Sequence, residues 1–122
     1  MGKNDLKIIL ESGEGQFVEF KESFDKSLAK EIVAFANASG GSIYLGIADN
    51  SIIKGISITN KLKSEIQDIA RNCDPPVTVL LEEKGDILDI QINEGINKPY
   101  SCSSGFFMRI GSNSQKMRRD EI

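Results

Sequence analysis

Apolar and polar positions divide the chain into short segments. Near the N-terminus, Leu6-Lys7-Ile8-Ile9-Leu10 is a brief apolar run that reads as an edge strand or the end of an upstream segment. After a polar, Gly-rich stretch, Phe17-Val18-Glu19-Phe20-Lys21 alternates apolar and charged residues from Val18 onward and predicts a strand. Phe17 and Phe20 cannot share one face of it. Asp25 offers an N-cap for a helix over 26–38, in which Leu28, Ile32, Phe35 and Ala36 form one buried stripe. Asn37 through Gly41 ends that helix, because Gly accepts the left-handed turn of a C-cap. Ser42 to Ile47 is nearly all apolar, the signature of a central strand covered on both faces.

A turn at Ala48-Asp49-Asn50-Ser51 then leads to a predicted return strand, Ile52 to Ile56. Asn60 can cap a second helix carrying Leu62, Ile66, Ile69 and Ala70, stopped by Asp74-Pro75-Pro76. Val77–Leu81 and Ile87–Ile92 read as two strands around Glu82-Glu83-Lys84-Gly85-Asp86, a hairpin turn with an exposed acidic tip. Phe106–Ile110 is the last predicted strand. Ser114 is placed to cap a helix that starts at Gln115 and is still running at Ile122, as in the N-terminal part of a longer protein. This order predicts an α+β fold, a mixed sheet of about five to six strands with two main helices and a C-terminal helix start. A single domain over 1–122 is expected from the length.

Composition narrows the chemistry. At 39% hydrophobic and 27% charged residues the chain has the balance of a soluble globular domain. No apolar run approaches the roughly 18–20 residues of a membrane helix, and Asp5 interrupts any secretory signal, so a cytoplasmic protein with no membrane partner is expected. The absence of histidine removes Ser-His-Asp and Cys-His catalysis and the commonest metal ligand. Cys73 and Cys102 form no CxxC pair and read as small core residues in a reducing compartment. No Walker-type GxxxxGK[ST] stretch is present, so ATP use is not expected of this segment. The net charge of -3 means that any binding of nucleic acid must rest on a local patch.

Two constellations carry candidate chemistry. Glu14 and Glu19 flank a turn-to-strand junction, and Asp49 follows the central strand. Converging, they could hold Mg²⁺ or Mn²⁺ and activate water against a phosphodiester. On spacing alone, solvated surface acids are the better reading. From Gly95 through Arg119 the bases Lys98, Arg109, Lys116, Arg118 and Arg119 occur without an acid, interleaved with Tyr100, Phe106 and Phe107. Lys21 can join this set from the first strand, and such a surface suits phosphates and stacked bases. The alternative places Phe106 and Met108 in the core and leaves Arg109 an ordinary residue on the opposite, exposed face.

Several stretches together resemble a known family. They are Glu14 with Glu19-Phe20-Lys21-Glu22-Ser23, Ala34-Phe35-Ala36-Asn37-Ala38-Ser39-Gly40-Gly41, Leu45-Gly46-Ile47-Ala48-Asp49, Gly55, Lys98-Pro99-Tyr100 and Arg109-Ile110-Gly111-Ser112. In this order they resemble the Schlafen AlbA-type DNA-binding domain of transcriptional-regulator-like proteins, RecG-like helicase relatives and divergent AAA proteins. The resemblance implies a compact α+β domain that binds DNA or structured RNA, with no certain cofactor; the basic stretch would then offer Lys21, Lys98, Arg109, Lys116 and Arg118 to phosphates. Animal Schlafen proteins use similar domains to cleave RNA with two glutamates and an aspartate. By that likeness Glu14, Glu19 and Asp49 would be catalytic and would hold Mg or Mn, although Ala48 stands where relatives carry another acid. Animal cores contain paired copies of the domain, so a homodimer is one expectation for a lone copy. A third reading is an oligomerisation or protein-interaction module.

Overall fold

The computed structural model describes residues 3–122, with side chains from Leu6 onward. Helix α1 (Lys3–Ser12) leads into β1 (Val18–Lys21), α2 (Leu28–Asn37), β2 (Gly41–Leu45) and α3 (Asn60–Arg71). Strands β3 (Val79–Lys84), β4 (Ile87–Ile92), β5 (Ser101–Cys102), β6 (Gly105–Ile110) and β7 (Asn113–Lys116) follow, with a short 3₁₀ turn at Arg119–Glu121. The α+β class is therefore as expected, but the strands divide into two sheets. One has four strands in the order β1-β2-β4-β3, and the other has three in the order β5-β6-β7.

In the larger sheet β1 and β2 run parallel, joined by α2, and the remaining pairs are antiparallel. Alternation sorts the side chains of this sheet onto two faces. Ile43 and Leu45 of β2 and Leu88, Ile90 and Ile92 of β4 meet α2 and α3 in the main core. Phe20, Tyr44 and Ile87 point the other way, where Leu6, Ile9 and Leu10 of α1 cover them. The segment expected as an edge strand is thus a helix. Leu6, Ile9 and Leu10 are spaced i, i+3, i+4, one stripe of a helical period that the short run disguised.

Helix α2 lies between the two sheets and packs on β4 and α3 as well as on β5, β6 and β7. It begins at Leu28, two residues later than expected. Asp25 does not cap it, because its carboxylate accepts the Ser27 N–H at 2.8 Å and the Ser27 hydroxyl in a local turn. Helix α3 is capped one residue earlier than expected, by Thr59, whose Oγ1 accepts the Leu62 N–H at 3.1 Å. Gly40 and Gly41 allow α2 to turn into β2. A Cβ on Gly40, at φ +79°, would lie 2.6 Å from the Ile92 carbonyl oxygen, and one on Gly41 would meet Phe17 O at 2.6 Å and the Phe35 ring at 2.7 Å.

Three further expectations are corrected. Ile52–Ile56 forms no return strand, only an isolated bridge between Ile47 and Ile53, and Ile52 and Ile53 are exposed. The supposed acidic tip lies mostly within β3. The turn is Gly85-Asp86, and Glu83 accepts from Lys63 Nζ at 2.5 Å. Ser114 caps no helix. It sits in β7 opposite Arg109, and its hydroxyl accepts from the Arg109 guanidinium at 3.1 Å. No described helix is long and apolar enough to cross a membrane.

Candidate functional site

Arg109 and the carboxylates of Glu19 and Glu31 gather where β1, α2 and the β6–β7 hairpin meet. Strand β6 alternates, so Phe107 and Arg109 face inward, while Phe106 and Met108 are only half-buried. This is the opposite register to the one that would expose Arg109. Its side chain is completely buried. Arg109 therefore does not join the phosphate-contacting residues: every part of its guanidinium is engaged. Nη1 donates to Glu19 Oε1 at 2.6 Å and to Ser114 Oγ at 3.1 Å, Nη2 to the carbonyls of Val18 at 2.8 Å and Gly15 at 2.9 Å, and Nε to Gly15 at 3.2 Å. Glu31 of α2 lies 3.7 Å away, and the guanidinium stacks 4.7 Å from the Phe35 ring centroid. This arrangement suits the planar five-donor fork of arginine and no other side chain.

Glu19 and Glu14 complete the cluster. Glu14 Oε2 accepts the Phe20 N–H at 3.0 Å, which ties the loop before β1 to the strand itself. Burial pushes the Glu19 carboxyl up to about 8, reinforced by a hydrogen bond with the Glu14 carboxyl and opposed by Arg109. The nearby charges of Glu31 and Glu14 push the Glu19 carboxyl in the same upward direction.

Asp49 stands apart. It is exposed beyond the Lys21 end of β1 and is not among the groups that perturb Glu19. Among the described residues no three acidic or thiol side chains are placed to hold a metal ion. Glu14, Glu19 and Asp49 therefore do not fit Mg²⁺ or Mn²⁺ in this arrangement, and the cation that Glu19 faces is Arg109.

The remaining predicted bases differ in availability. Lys21 donates to Ser27 Oγ at 3.0 Å and is mostly buried. Lys98 pairs with Glu94 at 2.6 Å, and Arg118 with Asp120 at 3.0 Å, both at the surface. Lys116 is exposed and makes no ion pair among the described residues. It lies directly across from Phe107 in the hairpin, and its Cε would lie 3.3 Å from a Cβ on Gly105.

Two residues not singled out in the sequence matter here. Lys30 on α2 is exposed, and its Nζ lies 5.8 Å from the centroid of the Phe107 ring, the residue that Lys116 pairs with across the hairpin. Its place beside Glu31 in a mostly apolar helix was the available signal. Asn37 is buried. Its Nδ2 donates to the carbonyls of Tyr100 at 2.9 Å and Phe107 at 2.8 Å, and its Oδ1 accepts the Tyr100 N–H at 2.6 Å. A polar residue inside Ala34-Phe35-Ala36-Asn37-Ala38 was the sign that something there needed bonding.

No curated protein matches the chain. Among solved structures, the DIP2311 protein from Corynebacterium diphtheriae is similar in fold, with a TM-score of 0.66 and 21% identity over 87% of this chain. That alignment spans 23% of the DIP2311 chain, so the present chain corresponds to under a quarter of that protein. The family described as Schlafen, AlbA_2 matches residues 14–118, which include the Glu14–Glu19 pair, the Asn37 clasp, the Gly40-Gly41 turn and Arg109. With most of its length so matched, the chain belongs to the Schlafen AlbA_2 family.

Proposed function

We propose that this domain binds nucleic acid through the phosphate backbone, on the surface shared by α2 and the β6–β7 hairpin. The family supports a nucleic-acid-related role in general terms. The observation that carries the finer reading is the pair Lys30 and Lys116, one over the Phe107 ring and the other paired with Phe107 across the hairpin, both exposed and with no ion pair of their own among the described residues. On a chain of net charge -3, unpaired cations brought together by the fold are the groups available to a phosphate. Arg119 is exposed three residues beyond β7, and Lys98 and Arg118 can exchange their surface acids for phosphate at little cost. No described element has helix-turn-helix form, so backbone contact outweighs base readout, as suits one module of a regulator-like protein.

The test is fluorescence anisotropy with labelled duplex DNA, single-stranded DNA and structured RNA over a series of salt concentrations. The expected result is an affinity that falls steeply with salt on at least one of the three. The Lys30→Ala, Lys116→Ala double variant should flatten the log–log slope by about 1.4–1.8, since each neutralised phosphate contributes about 0.7 on single strands and 0.9 on duplex DNA. Lys61→Ala, an exposed lysine on α3, serves as the control. A salt-independent response, or a slope that the double variant leaves unchanged, overturns the reading.

A further inference from the structure

The two cysteines are distant in sequence but neighbours in space. Asp74 and Ser101 form an antiparallel bridge and exchange both backbone hydrogen bonds, each at 2.8 Å. One step along that bridge, Cys73 lies opposite Cys102. Positions next to a hydrogen-bonded pair have Cα atoms about 4.5 Å apart in regular antiparallel geometry. That lies within the roughly 4.4–6.8 Å window a disulfide needs. Both side chains turn the same way. Cys73 belongs to the main core, Cys102 packs against it, and both line one pocket of 330 Å³ between α2, α3 and β5. Both thiols are free, Cys73 buried and Cys102 half-buried. Their hydrogen bonds are weak ones to carbonyls, Cys73 Sγ to Ile69 at 3.4 Å and Cys102 Sγ to Gly105 at 3.6 Å, so little holds either sulfur away from the other.

We propose that Cys73 and Cys102 form a dithiol modification site that a small disulfide oxidant converts to an intramolecular disulfide, joining the end of α3 to the start of the β5–β6 hairpin. Oxidised glutathione represents the oxidant class. The Cys102 thiolate, the more accessible, attacks one glutathione sulfur, forms a mixed disulfide and expels one glutathione thiolate. The Cys73 thiolate then attacks Cys102 Sγ, forms the Cys73–Cys102 bond and expels the second. Two protein thiols are oxidised and one glutathione disulfide is reduced to two thiols, which take up the two protons released. The second step is the slow one. Burial, with Cys102 beside it, pushes the Cys73 thiol up to about 11, so its thiolate is scarce at neutral pH. The pair therefore rests reduced and closes under sustained oxidation.

The test exposes the folded protein to excess oxidised glutathione at pH 7.0 and 8.5 and follows intact mass and non-reducing peptide maps. The expected product is 2 Da lighter than the reduced protein and yields one cross-linked peptide containing Cys73 and Cys102. It should form at least ten times faster at pH 8.5 and melt roughly 5–10 °C higher than the reduced form. Cys102→Ser, a change at a half-buried position, should remain folded and gain neither the cross-link nor the higher melting point. A stable glutathione adduct without ring closure, a disulfide-linked dimer, or thiols that stay reduced while the protein is folded would each overturn the proposal.

Discussion

The two faces of the four-stranded sheet each bury a charge and treat it differently. On the α2 face, Arg109 is completely enclosed, but every donor finds an acceptor and its plane rests on Phe35. On the α1 face, Asp89 is 1% exposed. Its Oδ2 accepts from Lys84 Nζ at 2.7 Å and from Gln91 at 3.0 Å, yet Oδ1 has no partner among the described residues. Burial alone would lower the Lys84 ammonium, but the Asp89 hydrogen bond and charge hold it raised, and it also lies 5.2 Å from the Tyr44 ring centroid. A satisfied buried charge fixes geometry, because moving it breaks many bonds together. A half-satisfied one contributes less, because part of its desolvation cost is never returned. The Arg109 cluster is accordingly the joint between the two sheets, and the Asp89 pair is an element of one hairpin.

The largest effect should come from breaking the satisfied side. Arg109→Met leaves Glu19 and Glu31 without their cation and the carbonyls of Gly15 and Val18 without donors. The loss expected in urea unfolding is about 3–5 kcal/mol, the range for removing one partner of a buried ion pair. Arg109→Lys should recover only part of it, since one ammonium cannot reach all the acceptors that the guanidinium spans.

A smaller effect separates the charge from the shape of the same site. The Glu19 carboxyl titrates near 8 in the folded protein and near 4.5 when unfolded, so the folded state holds the extra proton. Between those values the unfolded state binds fewer protons, and stability falls as pH rises. The contribution is complete below pH 4.5 and gone above 8. Urea unfolding at pH 5.5 and 8.5 should show a decline of at least about 1 kcal/mol from this group, since each tenfold change in proton affinity is worth about 1.4 kcal/mol. Glu19→Gln, which keeps a hydrogen-bonding side chain and cannot titrate, should remove most of that decline. An unchanged pH dependence in Glu19→Gln would mean that the proton resides elsewhere.

Much of this joint is visible in the chain, but its register is not. The period of 3.6 in Leu28, Ile32, Phe35 and Ala36 and the apolar run Ser42–Ile47 locate α2 and β2, since burial on two sides leaves little choice of residue. Asp25 and Asn60 each sit close to the true helix start without capping it: the Asp25 carboxylate is engaged by Ser27 in a local turn, and Thr59 supplies the cap one residue before Asn60. The two-sheet split is hidden: β5 has two residues, and β7 reads Asn-Ser-Gln-Lys, with no apolar alternation to reveal it. Arg109 is hard to place because apolar residues on both sides of a strand let either register look buried, and a charge then reads as the exposed choice. What decides it is the pairing with Glu19 and Glu31, contacts 90 and 78 residues away along the chain, which local periodicity does not encode. Glu14 and Glu19 are legible as a pair through their proximity across a turn. Asp49 follows a central strand, and that position alone suggests a nearness the fold does not provide.

The smallest stability effect should sharpen the comparison from the other face. Asp89→Asn keeps the shape and one acceptor but removes the charge facing Lys84. If Asp89 were as fully integrated as Arg109, the loss would again approach the roughly 3–5 kcal/mol of a broken buried pair. Two features reduce it. Oδ1 already lacks a partner among the described residues, so an amide nitrogen placed there forfeits no hydrogen bond, and the cost of burying a full carboxylate disappears. Lys84 also keeps Glu82 at 3.6 Å and the Tyr44 ring. The expected cost is about 1–2 kcal/mol, and it should shrink further in an Asp89→Leu, Lys84→Met double variant, where both buried charges give way to apolar groups of similar volume. A double-mutant cycle in urea measures this directly. A coupling energy near that of Arg109 with Glu19 would show that the two faces depend on their buried charges equally. A coupling well below it places the architectural demand on the Arg109 side, where the two sheets meet.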